Sequence, residues 1–161
     1  LTSIMSSSGA PGLPDPDAEV LKQLYAPQVR SGSEGAVEHA LKFLKLIASP
    51  AFPQPDAVLR EQIVRAMDRG YRPAGLLRQT LAVMADTQRA SQLGHLRVPT
   101  CVIHGDADRM VPLACGQDTA RRIPGARMCV IPGMGHDFPP AACQRMLEVW
   151  LPFLSHHTPL S

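Results

Sequence analysis

The chain has 161 residues, enough for one domain with a real core, and its 45% hydrophobic and 19% charged content is that of an ordinary globular protein. A formal charge of +2, no Lys/Arg run and only 4% aromatic residues give no basis for a nucleic-acid-binding surface. No stretch approaches the roughly 18 apolar residues that span a bilayer, and Leu1-Thr-Ser-Ile-Met-Ser6 has neither the basic nor the long apolar region of a signal peptide.

In chain order, Leu1 to Ser7 is half β-branched or apolar and runs into the breaker Gly9-Ala-Pro-Gly-Leu-Pro14, which reads as the end of a buried strand followed by a loop. From Asp15 to about Leu96 the pattern is helical. Asp15-Pro16-Asp17 supplies an N-cap with proline in the first turn, and Val20, Leu21 and Leu24 form one apolar face. Ser33 is expected to cap a second helix with Val37, Ala40, Leu41, Leu44 and Ala48 on one stripe, widened by Phe43, Leu46 and Ile47. The Pro-rich run Ser49 to Pro55 breaks it. Asp56 opens a third helix with Leu59, Ile63 and Met67 on one face, ended by Gly70, and Pro73 starts a fourth with Leu76, Leu77, Thr80, Leu81 and Met84. Four helices with no strand between them fit a cap inserted between two strands of a sheet. After Pro99 the character changes: strand Thr100–Ile103, helix Leu113–Ile123, strand Arg127–Ile131, then a last helix from Pro140 to about Leu154 with Cys143, Met146, Leu147 and Trp150 inward. Two strands separated by one helix imply parallel pairing. The chain therefore divides into 1–14 (core strand and loop), 15–96 (helical cap) and 97–161 (α/β core), with a frayed tail from Ser155.

Each of the last two strands is followed by a loop carrying a titratable side chain, at the carboxyl edge where open α/β sheets gather their chemistry. The first loop holds Asp106 and Asp108, and the second holds His136 within Gly133-Met-Gly-His136. A histidine on a glycine-flanked loop is well placed to reach a nucleophile as general base. Asp137 cannot orient its neighbour's ring, because adjacent side chains point apart, so Asp108 is the candidate acid. The alternative for Asp108 is a mere cap on the following helix, and for His136 a turn histidine. His104, at a strand end, reads as structural; His39, His95, His156 and His157 lack the partners of a metal site. The serine elbow G-x-S-x-G is missing. Ser31-Gly-Ser33-Glu-Gly35 replaces its first glycine and follows no strand, while Ser6, Ser7 and Ser8 follow a strand without the glycine and are expected to line the floor of the cleft.

Ile103-His-Gly-Asp-Ala-Asp-Arg-Met-Val-Pro112 together with Gly133-Met-Gly-His-Asp137 resembles the C-terminal half of an α/β-hydrolase. Ser6-Ser-Ser-Gly9 and Asp68-Arg-Gly-Tyr-Arg-Pro73 look like the aclacinomycin methylesterase-like, lipase/esterase-type branch. The resemblance covers essentially the whole chain. It implies a sheet of about eight strands, of which this chain would hold the last three and the cap. It also implies ester hydrolysis through an acyl-enzyme, with no metal or other cofactor. The triad acid is the position three after the loop glycine, which is Asp108, leaving Asp106 to shape the loop through nearby backbone N–H groups. The serine and the oxyanion donors would lie upstream of Leu1, so the chain alone is expected to be inactive and prone to associate through its uncovered sheet.

Epoxide hydrolase, dehalogenase and perhydrolase chemistry share the acid and histidine loops and differ at the nucleophile, and a non-catalytic truncated protein is the reading from another class. The expected partner is a small-molecule ester, its apolar part suggested by the Leu, Met and Phe of the cap. Neither nucleic acid nor a membrane span is expected, and the oligomeric state is left open. Cys101, Cys115, Cys129 and Cys143 form no C-x-x-C pair and fall alternately on strands and helices. They read as buried thiols of a reducing, cytoplasmic setting, with a disulfide or metal site the lesser alternative.

Overall fold

The structure, a computed structural model, describes residues 1–26, 34–70, 72–86 and 88–157, apart from the side chains of Pro73, Leu76 and His157. Its centre is a three-stranded parallel sheet, ordered β1 (Thr2–Ile4), β2 (Cys101–Gly105), β3 (Arg127–Ile131). Every residue of β2 is buried, as expected of a parallel strand covered on both faces. Alternation along β2 separates the two sides. Cys101 and Ile103 join Met5, Cys129, Ile131, Met134 and the Ala142, Met146 and Phe153 stripe of the last helix in one apolar core. On the other side, His104 meets Gly116 of the helix Leu113–Arg122, where a β-carbon would lie 2.3 Å from the ring. β3 exposes Arg127 and Val130 and behaves as an edge.

Labelled in chain order, the helices are α1 (Ala18–Leu24), α2 (Glu34–Ile47), α3 (Asp56–Gly70), α4 (Pro73–Ala85), α5 (Arg89–Gln92), α6 (Leu113–Arg122) and α7 (Pro140–His157), with a 3₁₀ turn at Leu93–His95. The fifth short helix and the 3₁₀ turn were not expected: no apolar period marks them, and they form as the chain descends toward β2. β1 is shorter than the expected strand because Met5, buried and at a φ of 46°, turns the chain off the sheet. α1 is capped by Asp17, whose side chain accepts from the Glu19 amide, so Pro16 precedes the cap rather than sitting in the first turn. The expected Ser33 cap lies outside the described residues.

Leu41 of α2 packs on Leu59 and Ile63 of α3, ringed by Val37, Ala40, Leu44 and Met67, in a core separate from that of the sheet. α4 departs from the expectation. Its period is apolar, yet Leu77, Leu81, Val83 and Met84 are 56–68% exposed, since no described element covers that face. α7 is three residues longer than expected, helical through Ser155 to His157, and Leu147 faces outward while Ala142, Met146 and Phe153 are buried. Met146 and Trp150 thus face inward as expected, while Ala142 and Phe153 take the buried places expected of Cys143 and Leu147. Trp150 pins the helix to β1 by donating from Nε1 to Thr2 Oγ1 at 2.8 Å. Among the described residues no helix is long and apolar enough to cross a membrane.

Candidate active site

The acid loop begins at Gly105, the last residue of β2, where a β-carbon would lie 2.0 Å from the Met134 carbonyl oxygen. Only glycine allows the two strand-end loops to touch here, and Ala107 N donates to that same oxygen at 3.1 Å. Asp108 follows with its side chain fully buried. Its Oδ1 accepts from Met110 N at 2.9 Å and Val111 N at 2.7 Å, closing a local turn before α6. Its Oδ2 lies 2.8 Å from His136 Nδ1. A carboxylate only accepts, so Nδ1 carries the proton and Nε2 is left with the lone pair a base requires. Asp108 therefore both closes its turn and orients the ring.

Asp106 behaves differently from the expectation. Its Oδ1 accepts not from nearby backbone but from Gly133 N, 27 residues on, at 2.6 Å. It ties the acid loop to the histidine loop, while the local turn belongs to Asp108. His136 follows in Pro132–Pro139 with about a quarter of its side chain exposed, so one edge of the ring reaches solvent.

The helical block also holds both loops. Arg109, next to Asp108, donates to Asp17 Oδ1 at 2.9 Å and Glu19 Oε2 at 3.2 Å, holding the Asp17 carboxyl below its usual range, and reaches Leu46 O at 3.5 Å. His136 N donates to Ile47 O at 2.7 Å. Gly135 N donates to Ser49 Oγ at 2.8 Å, and the Ser49 amide reaches Asp137 Oδ1 at 3.0 Å, an oxygen the Ser49 hydroxyl also bonds. Burial pushes the Asp137 carboxyl above its ordinary value, against the lowering effect of these two Ser49 bonds. Ser49 was missed in the sequence. Its only signal there is a small polar residue at the end of an apolar helix, the ordinary mark of a helix stop.

No family model matches the chain. A pimeloyl-[acyl-carrier protein] methyl ester esterase of Aromatoleum aromaticum is 35% identical over 85 residues, 53% of this chain and 28% of that protein. A meta-cleavage product hydrolase from Pseudomonas fluorescens IP01 superposes on 98% of the chain with a TM-score of 0.67 at 16% identity. A thermophilic esterase from Thermogutta terrifontis superposes on 98% with a TM-score of 0.65 at 22% identity. The chain has part of an α/β-hydrolase fold. It spans 56% of each of those two structures, about half their length.

Within this α/β-hydrolase sheet the other singled-out residues fall outside the Asp108–His136 pair. His104 Nε2 donates to Val111 O at 2.8 Å and stands 3.6 Å from Asp108 Oδ2, too far to bond it. Its Nδ1 is buried against Gly116 without a partner among the described residues, so the ring props the acid loop from below. Ser8 does not line a cleft. It is buried, and its hydroxyl donates to Asp118 Oδ2 at 2.5 Å, while Ser7 Oγ accepts from Gly9 N and Ser6 Oγ pairs with Ser3 Oγ. Asp118 also receives Arg121 and Arg122. Burial raises its carboxyl, yet the bonds from Arg122, Ser8 and Arg121 outweigh this and bring it down to about 2. Cys101, Cys115 and Cys129 are buried and Cys143 is half-buried, all four unbridged. Cys101 is pushed up to about 11, first by burial and then by Cys129 beside it. Among the described residues no cluster of His, Cys, Asp and Glu is arranged to hold a metal ion.

Proposed function

We propose that this chain supplies the acid and the base of a carboxylic-ester hydrolase. Residues 15–96 would serve as its cap, residues 1–14 and 97–161 as its core, and a serine upstream of Leu1 as its nucleophile. The observation that carries the reading is the 2.8 Å contact from His136 Nδ1 to the fully buried Asp108, joining loops that leave the carboxyl ends of adjacent parallel strands. Asp108 fixes the tautomer that leaves Nε2 free and stabilises the imidazolium. His136 takes the serine proton through Nε2 as the oxygen attacks the ester carbonyl, then returns it to the departing alcohol. Water repeats the cycle on the acyl-enzyme. The methyl ester esterase likeness and the superposed thermophilic esterase support an ester over the epoxide or halide substrates that an upstream aspartate would favour.

The test is made on the protein encoded with the sequence upstream of Leu1. A G-x-S-x-G elbow and turnover of a short p-nitrophenyl ester are expected, and His136→Ala should lower that turnover ~10⁴-fold. An aspartate at the elbow, or retention of more than about a tenth of the activity in His136→Ala, would refute the reading. The 161-residue chain alone should take no fluorophosphonate label that depends on His136.

A further inference from the structure

We propose that Ser49 is a positioning residue for the base, acting through the residues on either side of His136. This rests on the reading of His136 as that base. Ser49 is 1% exposed and lies just past the end of α2, 88 residues from Asp137 in sequence. Its hydroxyl accepts from the Gly135 amide and bonds the Asp137 carboxylate, and its own amide donates to the same carboxylate oxygen. His136, between them, gives its amide to Ile47. Three consecutive residues of the histidine loop are thus held by two residues of the helical block, Ile47 and Ser49.

The chemistry is selective. The Gly135 amide can only donate and the Asp137 carboxylate can only accept, so the side chain between them must do both, which a hydroxyl does and a methyl does not. The loop has no slack to compensate. A β-carbon on Gly135 would lie 2.4 Å from Ile47 O and 2.5 Å from Ala48 O, so the two backbones already touch. Removing the hydroxyl leaves a buried amide and a carboxylate oxygen short of partners, and freedom gained there is freedom of the ring that Asp108 must hold.

Imidazole NMR on the chain reads this directly, through the tautomer of His136 and the solvent exchange of its Nδ1 proton. Wild type should show a protected Nδ1 proton. Ser49→Ala and the isosteric Ser49→Cys should exchange it about tenfold faster, as expected when about one net hydrogen bond is lost, and Ser49→Thr should restore it within about twofold. Leu59→Ala, which weakens the helical block away from the loop, should lower the melting temperature and leave the exchange unchanged. If the alanine and cysteine variants exchange as wild type does and only melt lower, or if Leu59→Ala accelerates exchange equally, Ser49 is merely structural and the proposal falls alone. If wild type shows no Nδ1 proton, the Asp108–His136 pairing falls and takes the proposal with it.

Discussion

Asp108→Asn separates the two tasks of this carboxylate. The amide oxygen can replace Oδ1 and keep the bonds from Met110 N and Val111 N, so the turn should survive. The NH₂ group then stands where Oδ2 was, 2.8 Å from a ring nitrogen that also carries a proton. Two donors cannot bond, so the imidazole must move its proton to Nε2 and accept through Nδ1. One charge-assisted bond becomes a neutral one, a loss of about 1–2 kcal/mol. For a chain of this size that lowers the melting temperature by roughly 3–6 °C. Turnover of the extended protein should fall far more, by ~10⁴ or about 5 kcal/mol of transition-state stabilisation, because the base now presents a proton where it needs a lone pair. Asp106→Asn keeps an acceptor for Gly133 N and should cost less than about tenfold. Differential scanning fluorimetry gives the first number, imidazole NMR the tautomer, and p-nitrophenyl ester assays the last. A retained Nδ1 proton in Asp108→Asn, or a more severe effect from Asp106→Asn, would refute this account of the two aspartates.

Two further outcomes are expected. The Asp118 carboxyl titrates near 2 in the fold against an ordinary 3.8, so ionised Asp118 stabilises the chain above pH 4, and that contribution disappears as pH falls through 3.8 toward 2. It amounts to about 2 kcal/mol, so urea midpoints should drop across that window in wild type and much less in Asp118→Asn; equal slopes would show that the Arg122–Asp118–Ser8 network is not the cause. Gly135→Ala forces a β-carbon against two backbone oxygens and should cost about 1–3 kcal/mol while displacing His136. A melting temperature and His136 ring spectrum equal to wild type would mean the loop can shift freely.

Where one local pattern decides an element, the sequence is legible. Arg127–Ile131 comes out residue for residue, Asp56–Gly70 has its buried face and its glycine stop, and Asp108 and His136 are brought together as their strand-end positions imply. What could not be read is set by partners distant in sequence. The exposed face of α4 has the same period as a buried one, and only the absence of a described neighbour distinguishes it. Ser8 follows a strand just as a cleft serine would, and its burial depends on Asp118, 110 residues away. Asp106 and Asp108 carry identical carboxylates two positions apart. Which closes the local turn depends on where Gly133 arrives, and no pattern within the acid loop records that. Ser49 is hidden for the same reason.

The end of α2 has a consequence for how the molecule is made. A helix leaves its last carbonyls without partners of its own, and here Arg109 reaches the carbonyl of Leu46 while the amide of His136 takes that of Ile47. Both arrive late. At ordinary translation speeds the segment from Ile47 to His136 takes roughly 4–18 s to synthesise, and throughout that interval the emerging helix ends in open carbonyls beside a serine with nothing to bond. The helical block is therefore finished by residues of the two strand-end loops, Arg109 and His136. A ribosome paused between Pro50 and Gly133 should display a block that is helical but loosely ended and readily cut by protease near Ser49, becoming resistant only when the histidine loop emerges.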